Sequence, residues 1–140
     1  MPIMFNTLLA QEKIDPAGVR LLRHQDNNKE TIRTPFQLWR DDRAGFEVYQ
    51  SVQSVHNRAK LNSAHWASFV GLAGGATMFV GLYAVKYSGL GKKDLQRPHR
   101  PSKDLAGKYD QYRLERQSAF EHLDGKLFID WGDGARAWVQ

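Results

Sequence analysis

The longest uncharged stretch of the chain admits two structural interpretations. No Asp, Glu, Lys or Arg occurs over residues 66–85, and these 20 residues are enough to span a bilayer as a helix. However, Gly74–Gly75 divides the stretch into two short runs rich in aromatic and β-branched residues, Trp66–Leu72 and Thr77–Val85. Such runs are typical of a β-hairpin that is buried on both faces. We therefore predict the hairpin, and the alternative is a membrane subunit with a single transmembrane helix over 66–85.

Before the hairpin, the pattern predicts a helical arm, a strand and a broken helix. Asn6 is expected to cap a short helix, and Val19–His24 to form the first strand. Thr34–Gln37 is a typical helix start, since it places threonine at the cap, proline in the first turn and glutamine where its side chain bonds back. We expect this helical region to reach about Val55, with a break near Asp41–Asp42.

After the hairpin, Tyr87–Gly107 is rich in Gly, Pro, Lys and Arg without periodicity, which predicts a long surface loop. A strand is expected over Tyr109–Leu114, a helical turn over Ser118–Leu123, and a closing hairpin from Lys126–Trp131 and Ala135–Val139. Together these elements predict an α+β fold dominated by β-structure. The expected architecture is a small curved sheet or β-barrel with an N-terminal helical arm.

Composition narrows the class of protein. With 140 residues, 41% hydrophobic and 25% charged, the chain is typical of a globular domain that buries its own core. The absence of cysteine excludes a disulfide scaffold, thiolate metal sites and a cysteine nucleophile. The net charge of +5 favours a polyanionic partner. No signal-peptide pattern opens the chain, so we expect a cytoplasmic location.

Sequence motifs of common enzymes do not occur. No two of the five histidines are spaced three or four residues apart, and there is no H-E-x-x-H, G-x-S-x-G, Walker or G-x-G-x-x-G sequence. We therefore expect no catalytic site, no metal and no cofactor in these residues. A small enzyme with an unrecognised site is the rival hypothesis.

Cationic and amide side chains cluster around the first strand and the broken helix, which favours binding to double-stranded DNA over an ordinary solvated helix surface. Lys and Arg hold phosphates, whereas amide and imidazole groups read base edges, and flat side chains enclose an extruded base. We assign backbone contacts to Arg23, Arg40, Arg43, Arg58 and Lys60. Base edges are assigned to His24, Gln50, Gln53 and His56, and a base pocket to Tyr49, Trp66 and Ser68.

A second basic patch lies in the segment Lys86–Lys103, which holds six Lys and Arg residues against one acid, Asp94. Two interpretations of this segment stay open. Either the segment lies along a DNA phosphate backbone and makes DNA binding salt-dependent, or it is a flexible loop that adds solubility.

An ordered set of short motifs extends over most of the chain: Arg23-His24, Tyr49-Gln50 with Gln53, Asn57–Leu61, Ala67–Val70, Met78–Tyr83 and Gly125–Trp131. In these motifs the chain resembles the amino-terminal region of bacterial GIY-YIG nuclease family proteins. The resemblance implies that 1–140 is a single DNA-recognition domain, truncated from a longer restriction-type endonuclease whose nuclease domain follows in the same chain. It implies a non-catalytic role that directs the nuclease, and we add the hypothesis that the domain senses a modified base or backbone.

Overall fold

The computed structural model of the protein describes residues 4–24, 34–72, 76–90, 109–131 and 138–139. The α-helices are α1 (Phe5–Gln11), α2 (Pro35–Asp41) and α3 (Arg43–Ser51). Short 3₁₀ helices occupy Pro16–Gly18, Val55–Asn57 and Ser118–Leu123. The strands are β1 (Val19–His24), β2 (Val52–Ser54), β3 (His65–Gly71), β4 (Thr77–Leu90), β5 (Tyr109–Arg116), β6 (Phe128–Asp130) and β7 (Trp138–Val139).

The strands form one mostly antiparallel sheet around the long strand β4. On one edge β4 pairs with β3, and on the other edge it pairs with β5 and β6. The order β1-β3-β4-β5-β2 ends in β1, which runs parallel to β3, and in β2. Among the described residues these end strands do not pair with each other, so the sheet is open. The predicted α+β class dominated by β-structure is confirmed, with an open sheet in place of a barrel.

The uncharged stretch forms the predicted hairpin. Its register begins with His65 opposite Ala84 and ends with Gly71 opposite Thr77. The interpretation of 66–85 as a membrane-spanning helix is therefore wrong, because the segment consists of two paired strands. In the described ranges, none of the helices combines the length and the apolar character needed to cross a bilayer. The predicted turn at 73–75 lies outside the described residues.

One face of the sheet packs against α1 and the 3₁₀ helix Ser118–Leu123. Phe5 and Leu9, one turn apart on α1, are both fully buried. The Phe5 ring lies 5.2 Å from the Phe69 ring and 5.4 Å from the Phe79 ring, centre to centre. Burying each such side chain contributes about 1.5–3 kcal/mol, so this cluster holds the N-terminal arm to the sheet.

The opposite face carries α2, α3 and the segment that follows β2. Near α2 and α3, Leu38 and Phe46 pack against Val70 of β3. Further along the same face, Leu61 packs with Trp66 of β3 and Tyr112 of β5. Between these two apolar clusters lie the polar side chains described below.

For the broken helix, the predicted start and break are confirmed and the predicted end is wrong. The Thr34 hydroxyl accepts from the Gln37 backbone N–H at 3.1 Å and the Gln37 side chain accepts from Thr34 N–H at 3.0 Å, so the predicted helix start is confirmed. The break is confirmed at Asp42, whose carboxylate accepts from the Gly45 N–H. Helix α3 ends at Ser51, before the predicted end, because the next three residues pair with β5.

In the rest of the chain the structure differs from the prediction at two places, the start of α1 and the end of β4. Asn6 lies inside α1, which Met4 precedes without a side-chain cap, so the predicted cap is wrong. Strand β4 continues to Leu90, so the first part of the predicted loop is a strand, and 91–107 lies outside the described residues. The strand β5, the turn Ser118–Leu123 and the pairing of β6 with β7 are confirmed.

Candidate functional site

A buried polar network lies between the two apolar clusters and consists of His24, Glu47, Gln50, Ser68 and Tyr83. Gln50 Oε1 accepts from the Ser68 hydroxyl and from His24 Nε2, the latter at 3.1 Å. The Tyr83 hydroxyl donates to Glu47 Oε1 at 2.7 Å, and Gln50 Nε2 lies 3.5 Å from Glu47 Oε2. Because Glu47 and Gln50 lie on the same face of α3, these bonds connect that helix to β1, β3 and β4.

Close packing surrounds the network. A Cβ atom at Gly81 would lie 2.9 Å from the Tyr83 ring, so glycine lets this ring lie across the strand. Burial raises the pKa of Glu47, against the lowering effect of the hydrogen bond from Tyr83. Burial, followed by the negative charge of Glu47, raises the pKa of Tyr83. Tyr83 is therefore removed from water, and Glu47 is half-buried beside it.

Three of the residues assigned to base edges lie in this interior. His24 and Gln50 belong to the polar network and are 5% and 0% exposed. Gln53 is also buried, and its Nε2 donates to the Gln50 carbonyl oxygen at 2.9 Å. His24 and Gln50 therefore lack the access that base contacts need, whereas Gln53 lines a cleft of about 270 Å³. His56 is the exposed member of the predicted set.

The residues assigned to a base pocket are also buried. Tyr49 packs against the rings of His24 and Phe46, and the Ser68 hydroxyl bonds to Gln50. Trp66 is fully buried, and its Nε1 donates to the Leu61 carbonyl oxygen at 3.1 Å. Core packing fills the predicted pocket, so these three side chains do not form an open cavity.

An open cleft lies beside the buried Trp66, on the same face of the sheet. This aromatic cleft has a volume of about 620 Å³, and its lining includes Leu61, Val85, Tyr87 and Tyr112. Tyr112 is buried and touches Trp66, whereas Tyr87 is 46% exposed. The Tyr87 and Tyr112 rings meet edge to face at 5.4 Å between centres. The cleft therefore presents one exposed ring that rests on a buried aromatic cluster.

A buried carboxylate holds the polar wall of the aromatic cleft in place. Arg58 donates to Asp110 through Nε at 2.9 Å and Nη2 at 2.6 Å, and the Tyr87 hydroxyl donates to the same carboxylate at 2.9 Å. The Asp110 side chain is 0% exposed and that of Arg58 is 51% exposed. The guanidinium also lies 5.4 Å from the Tyr87 ring centre. Asp110 thus orients one exposed cation and one exposed ring.

The charges of this triad follow from its hydrogen bonds. Arg58 holds the pKa of Asp110 below its usual value, because its hydrogen bonds outweigh the effect of burial. The bond to Asp110 raises the pKa of Arg58. Burial raises the pKa of Tyr87, and the bond to Asp110 raises it further. At neutral pH the cleft therefore has a cationic Arg58 and a neutral Tyr87 over an ionised Asp110.

Two further clefts adjoin the aromatic cleft and carry most of the nearby positive charge. One, of about 270 Å³, shares Leu61 with it, and the other, of about 440 Å³, shares Val85. The second cleft has its cations on the opposite face of the sheet, because Lys86 and Arg113 alternate with Tyr87 and Tyr112 along β4 and β5. Among the described residues that line the three clefts there is one acid, Glu115. We call their cations together the basic surface, which comprises Arg20, Arg23, Arg58, Lys60, Lys86 and Arg113.

The structure divides the cations that the sequence suggested. Arg23 and Lys60 line one cleft, and Arg58 and His56 line the aromatic cleft. The Arg23 guanidinium lies 4.5 Å from the ring centre of Trp131. Arg40 and Arg43 line none of these three clefts. Arg40 pairs with the neighbouring Asp41 at 2.7 Å, and the Arg43 guanidinium lies 4.2 Å from the Trp39 ring centre. Of the predicted basic segment 86–103, only residues 86–90 are described, and they contain one cation, Lys86.

Sequence reasoning did not assign Arg20, Asp110, Arg113, Tyr87 or Tyr112 to a site. One signal was present, because Asp110 and Tyr112 are two residues apart on one strand and therefore share a face. The register that places Tyr112 opposite Tyr87 and Arg113 opposite Lys86 is not visible in the sequence. Strand pairing, rather than a local motif, thus assembles the cleft.

The described residues contain no group of three His, Asp or Glu side chains able to share a metal ion. The clefts present cations, an exposed aromatic ring and hydrogen-bond donors. Comparisons with protein families, with curated proteins and with solved structures found no match to this chain.

Proposed function

We propose that this protein is a non-catalytic, cytoplasmic domain that binds double-stranded DNA through the basic surface. The supporting observation is that, among the described residues, six cations and one acid line three clefts that share residues. Phosphate contacts by Lys and Arg supply most of the affinity of such domains, through release of counterions. The binding site therefore differs from the predicted one, because it retains Arg23, Arg58 and Lys60 and replaces the α2–α3 cations with Arg20, Lys86 and Arg113.

The proposal extends to the parent protein. The sequence resemblance to the amino-terminal region of GIY-YIG nuclease family proteins supports a recognition domain that directs a restriction-type nuclease in the same chain. Contacts to phosphates position a protein on DNA but carry no sequence information. The groups of the aromatic cleft, at the middle of the basic surface, are suited to supply the missing selectivity.

The direct test compares two double variants that each remove two exposed cations. Lys60→Ala/Arg113→Ala changes the basic surface, whereas Arg40→Ala/Lys126→Ala changes cations outside it. Binding to a fluorescent 20-bp duplex at 0.1 M salt is measured by anisotropy. We expect the first variant to lose at least about tenfold in affinity, since each lost phosphate contact costs several-fold at this salt concentration. The second variant should bind as the wild type does.

Equal losses in the two double variants would overturn the assignment of the surface. Absence of binding by the wild-type protein would overturn the function itself. Selectivity for modified DNA is tested with duplexes that carry methyl, hydroxymethyl or phosphorothioate groups at fixed salt, where the proposal expects one clear preference.

A further inference from the structure

We propose that the aromatic cleft binds one unstacked nucleotide of the DNA duplex, with its base against Tyr87 and its phosphate on Arg58. This inference rests on the proposed function and adds a ligand for one part of the site. Extrahelical bases are held in proteins by aromatic stacking and hydrogen bonds, in pockets of the size seen here.

The aromatic side of the cleft is built before any ligand arrives. The Tyr87 ring is 46% exposed, yet it contacts Tyr112 and its hydroxyl is fixed by Asp110. Leu61 and Val85 add apolar surface beside the ring. A ring fixed in this way presents a flat contact without losing much conformational entropy on binding, which favours a planar aromatic ligand.

The polar side of the cleft suits the phosphate of the same nucleotide. Arg58 uses two of its five N–H donors on Asp110, which leaves three for a ligand. His56, Asn62 and Ser63 bring further hydrogen-bonding groups to the lining. Among the described residues that line the aromatic cleft there is no Asp or Glu, and the ionised Asp110 behind its wall is paired with Arg58.

The neighbouring clefts indicate that the nucleotide belongs to a DNA strand. Lys60 lies in the cleft that shares Leu61, and Lys86 and Arg113 lie in the cleft that shares Val85. Lys60 is placed to meet a phosphate that flanks the extruded nucleotide, whereas Lys86 and Arg113 alternate with Tyr87 and Tyr112 and project from the opposite face of the sheet. A free mononucleotide would leave Lys60 without a partner.

The test compares a fully paired duplex with the same duplex carrying one unpaired, bulged nucleotide. A bulged nucleotide avoids much of the cost of unstacking and unpairing, so we expect it to bind at least about tenfold tighter than the paired duplex. Tyr87→Ala should abolish this preference, and Tyr87→Phe, which keeps the ring, should retain most of it. Phe128→Ala removes another exposed aromatic ring outside the cleft and should leave the preference unchanged.

A second measurement uses the wild-type protein alone and so does not depend on the folding of a variant. A bulged 5-iodouracil is irradiated in the complex, and we expect the crosslink at Tyr87. Equal affinity for paired and bulged duplexes, or a crosslink away from the cleft, would overturn the inference while leaving DNA binding intact. The assignment to a DNA strand would be overturned if a free mononucleotide bound more tightly than the bulged duplex and its binding did not depend on cations outside the aromatic cleft.

Discussion

Replacing Gln50 with leucine is expected to destabilise the fold, although leucine has nearly the same size. The Gln50 side chain is fully buried, and its Oε1 accepts from both Ser68 and His24. Leucine can accept neither bond. The Ser68 hydroxyl, which is also fully buried, then loses the Gln50 oxygen that accepts its hydrogen bond.

The decrease in the free energy of unfolding follows from the buried groups that lose a hydrogen-bond partner. A buried polar group left unsatisfied costs about 1–3 kcal/mol. Two donors lose the Gln50 acceptor, and the apolar contacts of leucine offset part of that loss, so we expect a net decrease of about 2–3 kcal/mol in the free energy of unfolding. For a chain of this length, that decrease lowers Tm by about 6–12 °C.

Urea denaturation followed by circular dichroism measures this change, with Gln11→Leu on the exposed end of α1 as the matched control. The control should shift the free energy of unfolding by less than about 0.5 kcal/mol. In Gln50→Leu/Ser68→Ala the orphaned hydroxyl is also removed, so the double variant should lose at least about 0.5 kcal/mol less than the sum of the single variants. Additive losses, or a Gln50→Leu protein as stable as the control, would refute the role assigned to the network.

Three further predictions concern named contacts. Because burial raises the pKa of Glu47, the folded state holds that proton more tightly than the unfolded chain, and stability falls as the pH rises above the usual value of 4.5. Glu47→Gln should remove this fall, as pH-dependent urea denaturation would show. Gly125→Ala should cost about 1–3 kcal/mol in thermal denaturation, because φ is +74° and the new Cβ would lie 2.7 Å from Trp39, whereas Gly18→Ala meets no atom and should cost less than about 0.5 kcal/mol. Asp110→Asn should weaken the preference for a bulged duplex in anisotropy titrations, although it removes a negative charge, because Arg58 and Tyr87 lose their common anchor.

Local signals in the sequence predicted those elements whose structure depends on near neighbours. The capping box at Thr34 and the break at Asp42 are set by residues within a few positions. The two runs of the hairpin also show the length and the aromatic and β-branched composition of strands. By contrast, β2 has three residues and is stabilised by pairing with β5, more than 50 residues away, so no local pattern marks it.

The candidate site was harder to predict because residue type does not determine burial. His24 and Gln50 are polar, yet each satisfies the other inside the fold. One clue was the position of Gln50 four residues after Phe46, which places it on the apolar face of α3. The grouping of Arg23 and Lys60 depends on the parallel pairing of β1 with β3 and on the path of the chain after β2, neither of which the sequence reveals.

Salt dependence of DNA binding tests the central proposal most directly. The dissociation constant for a 20-bp duplex is measured from 50 to 300 mM salt for the wild-type protein and for a variant that replaces four exposed cations of the basic surface, Arg20, Lys60, Lys86 and Arg113, with alanine. Each lost phosphate contact lowers the slope of log affinity against log salt by about 0.9. The slope measured for the variant should therefore be shallower than that of the wild type by about 3 to 4. A wild-type slope near zero, or the same slope in both proteins, would contradict a duplex held by this surface.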